Sequence, residues 1–148
     1  FYTPCIMCHL YTHLLRIPIC YKYGAEGIIT GERFSHGGKV KVNQHPKTLE
    51  CFQMLIDYSG LKLIQPLLEI GNVKDVENEI GSKEIIDHAN DTKCILSENL
   101  NDWIVDENAL QNFLDEYIYN VGIYIIDAYK NENNIPLKAL DQFVEGLF

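Results

Sequence analysis

No apolar run in this chain approaches the ~20 residues that a membrane-crossing helix needs. The opening FYTPCIMCHLYTH, with two cysteines and two histidines, is unlike a signal peptide. Both absences lead to the expectation of a soluble, cytoplasmic protein. Basic charge is scarce: 12 Lys and Arg stand against 21 Asp and Glu, for a net charge of −9, which argues against a generic nucleic-acid binder. A disulfide framework is lacking too. The five cysteines, at 5, 8, 20, 51 and 94, are odd in number and irregular in spacing, which fits a reducing compartment better than a secreted scaffold. There is neither an internal repeat nor a low-complexity segment. What is present is ordinary for a globular protein: 148 residues, 47% apolar and 22% charged, enough for one sizeable core. The first residue is Phe and a helical pattern begins almost at once, which carries the expectation of further sequence upstream.

The scarce basic charge is unevenly placed. Residues 1–50 hold six Lys/Arg (Arg16, Lys22, Arg33, Lys39, Lys41, Lys47) against three acids (Glu26, Glu32, Glu50). An anionic ligand therefore belongs with the first third of the chain.

Turn and cap signals divide the rest. Thr3-Pro4 suits a helix start, with Thr as N-cap and Pro at N1, and apolar positions continue through Leu10, Leu14, Leu15 and Ile19 to a stop at Gly24. Pro18 is expected to kink or shorten this helix. Gly27-Ile28-Ile29-Thr30-Gly31 reads as a short buried parallel strand, and a polar, basic loop follows from Glu32 to His45. His45-Pro46 opens a helix carrying Leu49, Phe52, Leu55 and Ile56, closed by Ser59-Gly60; Leu61-Lys62-Leu63-Ile64 is a second strand. Asn72 and Asp75 cap a short helix to Ile80-Gly81, and another is expected over Ser82 to Ala89. Asp106 caps the longest helix, with Leu110, Phe113, Leu114, Tyr117, Ile118, Val121 and Ile125 on one stripe, and Pro136 starts a last one. The order predicts an α/β layer with a helical tail.

Two constellations carry chemistry. Cys5-x-x-Cys8 places two thiols on one face at a helix start, where the helix dipole favours thiolate, so the pair suits metal ligation or thiol chemistry as well as plain burial. Cys5-x-x-Cys8-His9 also spells a c-type haem attachment motif, and Cys5, Cys8, His13 and Cys20 make a loose zinc knuckle. The second constellation runs from Ile28 to Lys39: a strand end with Gly31, Gly37 and Gly38, where backbone N–H groups can approach phosphate and Arg33, Lys39 and Lys41 can offset anionic charge. A solvated basic loop is the plain alternative. His9 and His13 share a helical face and are read as surface residues rather than ligands, and His36 and His45 flank the basic loop. Cys20 and Cys51 sit among apolar helix positions and are expected in the core; Trp103, Tyr117, Tyr119, Tyr124 and Tyr129 are read as helix-packing residues.

The order of PCIMCH, Arg16, YGAEGIITGER, LKLIQPLLEIGNVKDVENEIG and KCILSEN resembles the second half of the PP-loop ATP pyrophosphatase superfamily, over roughly residues 4 to 104. The resemblance is to the branch that includes tRNA thiolation enzymes. It implies that Cys5, Cys8 and Cys94 hold a [4Fe–4S] cluster by three thiolates, leaving one iron open. It also implies that Gly31, Glu32 and Arg33 border ATP with Mg, and that a substrate oxygen is adenylated with release of pyrophosphate before a sulfur or nitrogen nucleophile displaces AMP. The family's SGGxDS-type phosphate loop is absent here, and Glu32-Arg33-Phe34-Ser35 stands where an acidic pair is usual.

On this basis residues 1–104 are expected to form the C-terminal half of a Rossmann-like (HUP-type) parallel-sheet domain, with 105–148 a helical tail. The phosphate loop would come from a missing N-terminal half or a companion chain. tRNA or a small molecule is the expected substrate, no membrane is involved, and a homodimer is open. The rival reading is a non-catalytic, zinc-stabilised interaction module built on Cys5 and Cys8 with His9 or His13.

Overall fold

The structure is a computed structural model that describes residues 4–35, 38, 40–81 and 105–131. Helix α1 (Pro4–Tyr23) starts with Pro4 in its first turn and runs unbroken past Pro18 to the Tyr23–Gly24 boundary. The expectation that Pro18 shortens it is corrected: the ring removes one backbone donor, and buried residues on both sides, Ile6, Leu10, Leu14 and Ile17 before it and Cys20 after it, hold the helix together. Ile19, which falls off that stripe, is exposed. Gly24, at φ +67°, then turns the chain in the left-handed region that side chains avoid.

Strand β1 (Gly27–Ile29) and strand β2 (Lys62–Ile64) pair in parallel, with Ile28 opposite Leu63 and Ile29 opposite Ile64. Helix α2 (Pro46–Tyr58) makes the crossover between them. Its N-terminus follows the sequence signal: His45 is the N-cap, its Nδ1 accepting from Lys47 N at 3.4 Å, and Pro46 supplies N1. Ser59 closes it. Ahead of α2 lies a 3-10 turn, Val42–Gln44, anchored by the Thr48 hydroxyl donating to Val42 O at 2.8 Å.

Helix α3 (Val73–Ile80) begins at Asn72, whose side chain accepts from Asp75 N, and ends at Gly81 with φ +72°. Helices α4 (Glu107–Phe113) and α5 (Asn120–Asn131) form one continuous rod joined by a wide π-helical segment, Leu114–Tyr119, and Asp106 caps the start by accepting from Asn108 N and Ala109 N. The helices expected over Ser82–Ala89 and from Pro136 lie outside the described residues.

The wide turn has a packing reason. Leu110, Leu114, Ile118, Gly122 and Ile126 are all buried and recur every four residues. In a pure α-helix four residues overshoot a full turn by about 40°, so such a row would wind off one face; the π segment takes up the excess and keeps it facing the core. Gly122 is where this rod comes closest to α2: a Cβ there would lie 2.5 Å from Leu55 Cδ2. Gly122→Ala is therefore expected to lower stability by about 1–3 kcal/mol in a denaturant melt, although alanine is the better helix former. An unchanged or raised midpoint would mean the two helices have room to separate.

One core joins these elements. Ile28 and Leu63 from the sheet meet Ile6, Leu10, Leu14 and Ile17 of α1, Phe52, Leu55 and Ile56 of α2, and Leu110, Leu114, Ile118 and Ile126 of the C-terminal rod. Cys20 and Cys51 belong to it as expected, and burial pushes the Cys51 thiol up to about 12. Tyr117 and Tyr124 do not pack as expected; both point to solvent, 54% and 74% exposed, whereas Tyr119 and Tyr129 are half-buried against the core. The architecture is thus α/β, largely helical, with a small parallel sheet. Among the described residues no helix is long and apolar enough to cross a membrane.

Candidate functional site

The cysteine pair and the end of β1 are joined through one histidine. Cys5 and Cys8 occupy the first two turns of α1, Cys5 half-buried and Cys8 exposed. The next residue, His9, turns its imidazole toward the segment that leaves β1: His9 Nδ1 lies 2.9 Å from Glu32 Oε1. Its other nitrogen, Nε2, is 2.9 Å from Asn43 Nδ2 in the 3-10 turn. The adjacent Gln44 Nε2 donates to Glu32 Oε2 at 2.9 Å. Three hydrogen bonds thus string four side chains in a row, Asn43, His9, Glu32 and Gln44, gathered from α1, the β1 exit and the 3-10 turn, and the Asn43–Gln44 peptide closes the row into a ring. With Asn43 donating to Nε2, the imidazole proton sits on Nδ1 and faces Glu32.

Glu32 is buried, 8% exposed. Burial works against its ionised form, but the hydrogen bonds from His9 and Gln44 and the positive potential of the histidines outweigh it, holding the carboxyl below its ordinary range. His13, one turn further along α1, is 2% exposed and packs on the Phe52 ring with centroids 4.9 Å apart. Both of its ring nitrogens lack a hydrogen-bond partner. Burial lowers its pKa to about 4, against an opposing pull from Glu32 and with help from Arg16 and His9, so it is neutral near pH 7. The expectation of surface placement for His9 and His13 is corrected on both counts. His13 sits on the Ile6–Leu10–Ile17 stripe, and the polar ring, not solvent, satisfies His9.

Two further polar atoms are buried without partners at the same end of the sheet: Thr30 Oγ1, just past β1, and Gln65 Nε2, just past β2. The two exits run side by side, tied by Phe34 N donating to Leu68 O at 2.9 Å, and Ser35 Oγ comes within 3.1 Å of where a Gly71 Cβ would be. Gly31, on the β1 exit directly after Thr30, is exposed, with nothing within 4 Å of a Cβ built there. In open α/β sheets this carboxyl edge is where ligands bind. A hydroxyl and an amide left unbonded there are costly unless a ligand or water completes them.

Of the residues singled out in the sequence, Gly31, Glu32 and Arg33 follow β1, with Arg33 half-buried, and Glu32 is bonded to His9, the residue after Cys8 on the helix that also carries Cys5. Arg16 and Lys41 are exposed. Cys94, Lys39, His36, Gly37 and Trp103 lie outside the described residues. Among the described residues no group of three His, Cys, Asp or Glu side chains is placed to hold a metal ion. Sequence reasoning missed Asn43, Gln44 and the unpartnered Thr30 and Gln65. Their one available signal was position, since Thr30 and Gln65 each directly follow a strand.

The chain is similar to an uncharacterized protein of Methanocaldococcus jannaschii, 31% identical over 139 residues. That match takes in 90% of this chain and 50% of the relative, so the chain spans about half the length of the curated relative it matches. No protein family matches the chain, and no solved structure does either.

Proposed function

We propose that this chain is the C-terminal half of an ATP-dependent adenylating enzyme of the PP-loop ATP pyrophosphatase type, a Rossmann-like unit that transfers sulfur to tRNA or to a small substrate. The observation that carries this reading is the His9–Glu32 hydrogen bond. It ties the helix of the cysteine pair to the exit of β1, which supports reading the two constellations as parts of one site.

In this reading the nucleotide lies along the carboxyl edge of the sheet. Gly31, exposed and without a side chain, lets phosphate oxygens reach backbone N–H groups, at the end of the sheet where the Thr30 hydroxyl and Gln65 amide are buried without partners. Arg33 offsets phosphate charge together with Mg. Glu32 acts as a positioning residue, because both of its oxygens are already engaged. A substrate oxygen attacks the α-phosphorus, the bond to the β-phosphate oxygen breaks and pyrophosphate leaves; a sulfur nucleophile then takes the activated carbon and AMP departs.

Cys5 and Cys8 fit a shared metal centre. They stand one helical turn apart beside the helix N-terminus, and the exposed Cys8 is open to a third ligand, for which Cys94 is proposed. A [4Fe–4S] cluster held by these three thiolates would offer an open iron to a sulfur donor. The rival zinc site finds less support, since His9 is bonded at both nitrogens and His13 is enclosed.

Anaerobic reconstitution with iron and sulfide tests the reading. A brown chain that binds close to four irons, and loses them in Cys5→Ala, Cys8→Ala and Cys94→Ala alike, is the expected result. A colourless chain on which Cys5→Ala has no effect would sink it, as would one zinc per chain with neither iron nor sulfide.

A further inference from the structure

Among the described residues the two-stranded sheet is covered on one side only. Ile28 and Leu63 point into the core, while Ile29 and Ile64, directly opposite each other in the parallel register, point outward and are 70% and 45% exposed. Parallel strands belong to sheets covered by helices on both faces, because the crossovers that connect them lie there. Here α1, α2 and the C-terminal rod all contribute to the core on the Ile28 side. The edges are open as well. Glu26 O accepts from Lys62 N and Thr30 N donates to Ile64 O, so by the alternation of a parallel ladder the backbone groups of Ile29 face away from β2, and those of Leu63 face away from β1. Two three-residue strands that show, among the described residues, a bare apolar face and two unpaired edges have the character of the middle of a sheet.

We infer that the Ile29–Ile64 face is a docking surface for one specific occupant: the polypeptide that corresponds to the half of the archaeal relative this chain does not span. That polypeptide would lay an apolar helix face over Ile29 and Ile64 and add parallel strands at the open edges. Its length suits the task, because this chain matches 50% of the relative and an equal length remains. The inference rests on the proposed function in one respect only, that the docked half carries the phosphate loop. Docking would then set that loop beside Thr30 and Gln65, at the carboxyl edge that both strands share.

The test supplies that other half, from the same source as this chain, as a separate polypeptide, and measures association by sedimentation without ATP or iron. Expected is a one-to-one complex that Ile29→Glu and Ile64→Glu each weaken at least tenfold. Tyr124→Glu, on an exposed face of α5, leaves it unchanged. Circular dichroism of each variant alone should match the parent, since both isoleucines lie outside the core. Three results would overturn the inference: no complex, a complex indifferent to both substitutions, or a self-dimer of this chain that the same substitutions dissolve. A complex that obeys the substitutions yet exchanges no pyrophosphate into ATP would leave the docking intact and remove the functional reading.

Discussion

Replacing Glu32 by alanine is expected to damage both stability and activity, because this carboxylate closes the ring that holds the cysteine helix against the strand exit. Without it, His9 Nδ1 and the Gln44 amide each lose their acceptor inside the protein. Removing the carboxylate that accepts from both, itself 8% exposed, should cost roughly 1–3 kcal/mol. On the adenylating function proposed above, pyrophosphate exchange should fall by about 10–100-fold, because small displacements of groups that position a reaction carry such costs. Glu32→Gln separates the two effects. Its amide keeps the shape but offers one acceptor instead of two, so more of the stability than of the activity should return. A Glu32→Ala protein with an unaltered urea midpoint would show that the ring carries no load.

Acid should unfold the protein early, and His13 sets where. Its ring is neutral in the fold, with a pKa lowered by burial to about 4, whereas in the unfolded chain it takes a proton near 6.5. The unfolded state therefore binds more protons as pH falls from 6.5 toward 4, and over that window stability drops by something on the order of 3 kcal/mol. Glu32 acts in the same direction but lower. Its folded pKa is depressed, so its contribution is present above the ordinary carboxyl range and is lost as pH falls through its folded value. His13→Leu distinguishes the two. Both ring nitrogens lack partners, so an apolar side chain forfeits no hydrogen bond, and the variant should hold its urea midpoint between pH 6.5 and 5 and decline only below. Parallel decline of parent and variant would assign the acid sensitivity elsewhere.

What the sequence disclosed and what it hid follow a physical division. Local chemistry was legible: His45-Pro46, Asn72 with Asp75, and Asp106 are caps because a few neighbouring atoms make them so, and the structure has a helix at each. The parallel pairing of β1 and β2 was legible from two short apolar runs separated by a helix. The ring at Glu32 was not. It joins residues 23 and 34 positions apart, and nothing in the periodicity of α1 says which of its polar side chains will find partners. His13 could have been placed correctly, since it stands three residues after Leu10 and four before Ile17 on the buried stripe. Chemical type was weighed above position. Tyr117 and Tyr124 erred the other way, because the π segment shifts the face of the rod and leaves both in solvent.

That segment, Leu114–Tyr119, also bears on how the chain can change over generations. A π turn accommodates one residue more than the α-helix it interrupts, so it is the natural scar of a single-residue insertion that the fold absorbed without unwinding. The insertion is not freely reversible here. Deleting one residue would turn the second half of the rod by about 100°, swinging Gly122 away from Leu55 and bringing a larger side chain against it. Lineages that keep glycine at this crossing should keep the extra residue, and those that lose one should lose both.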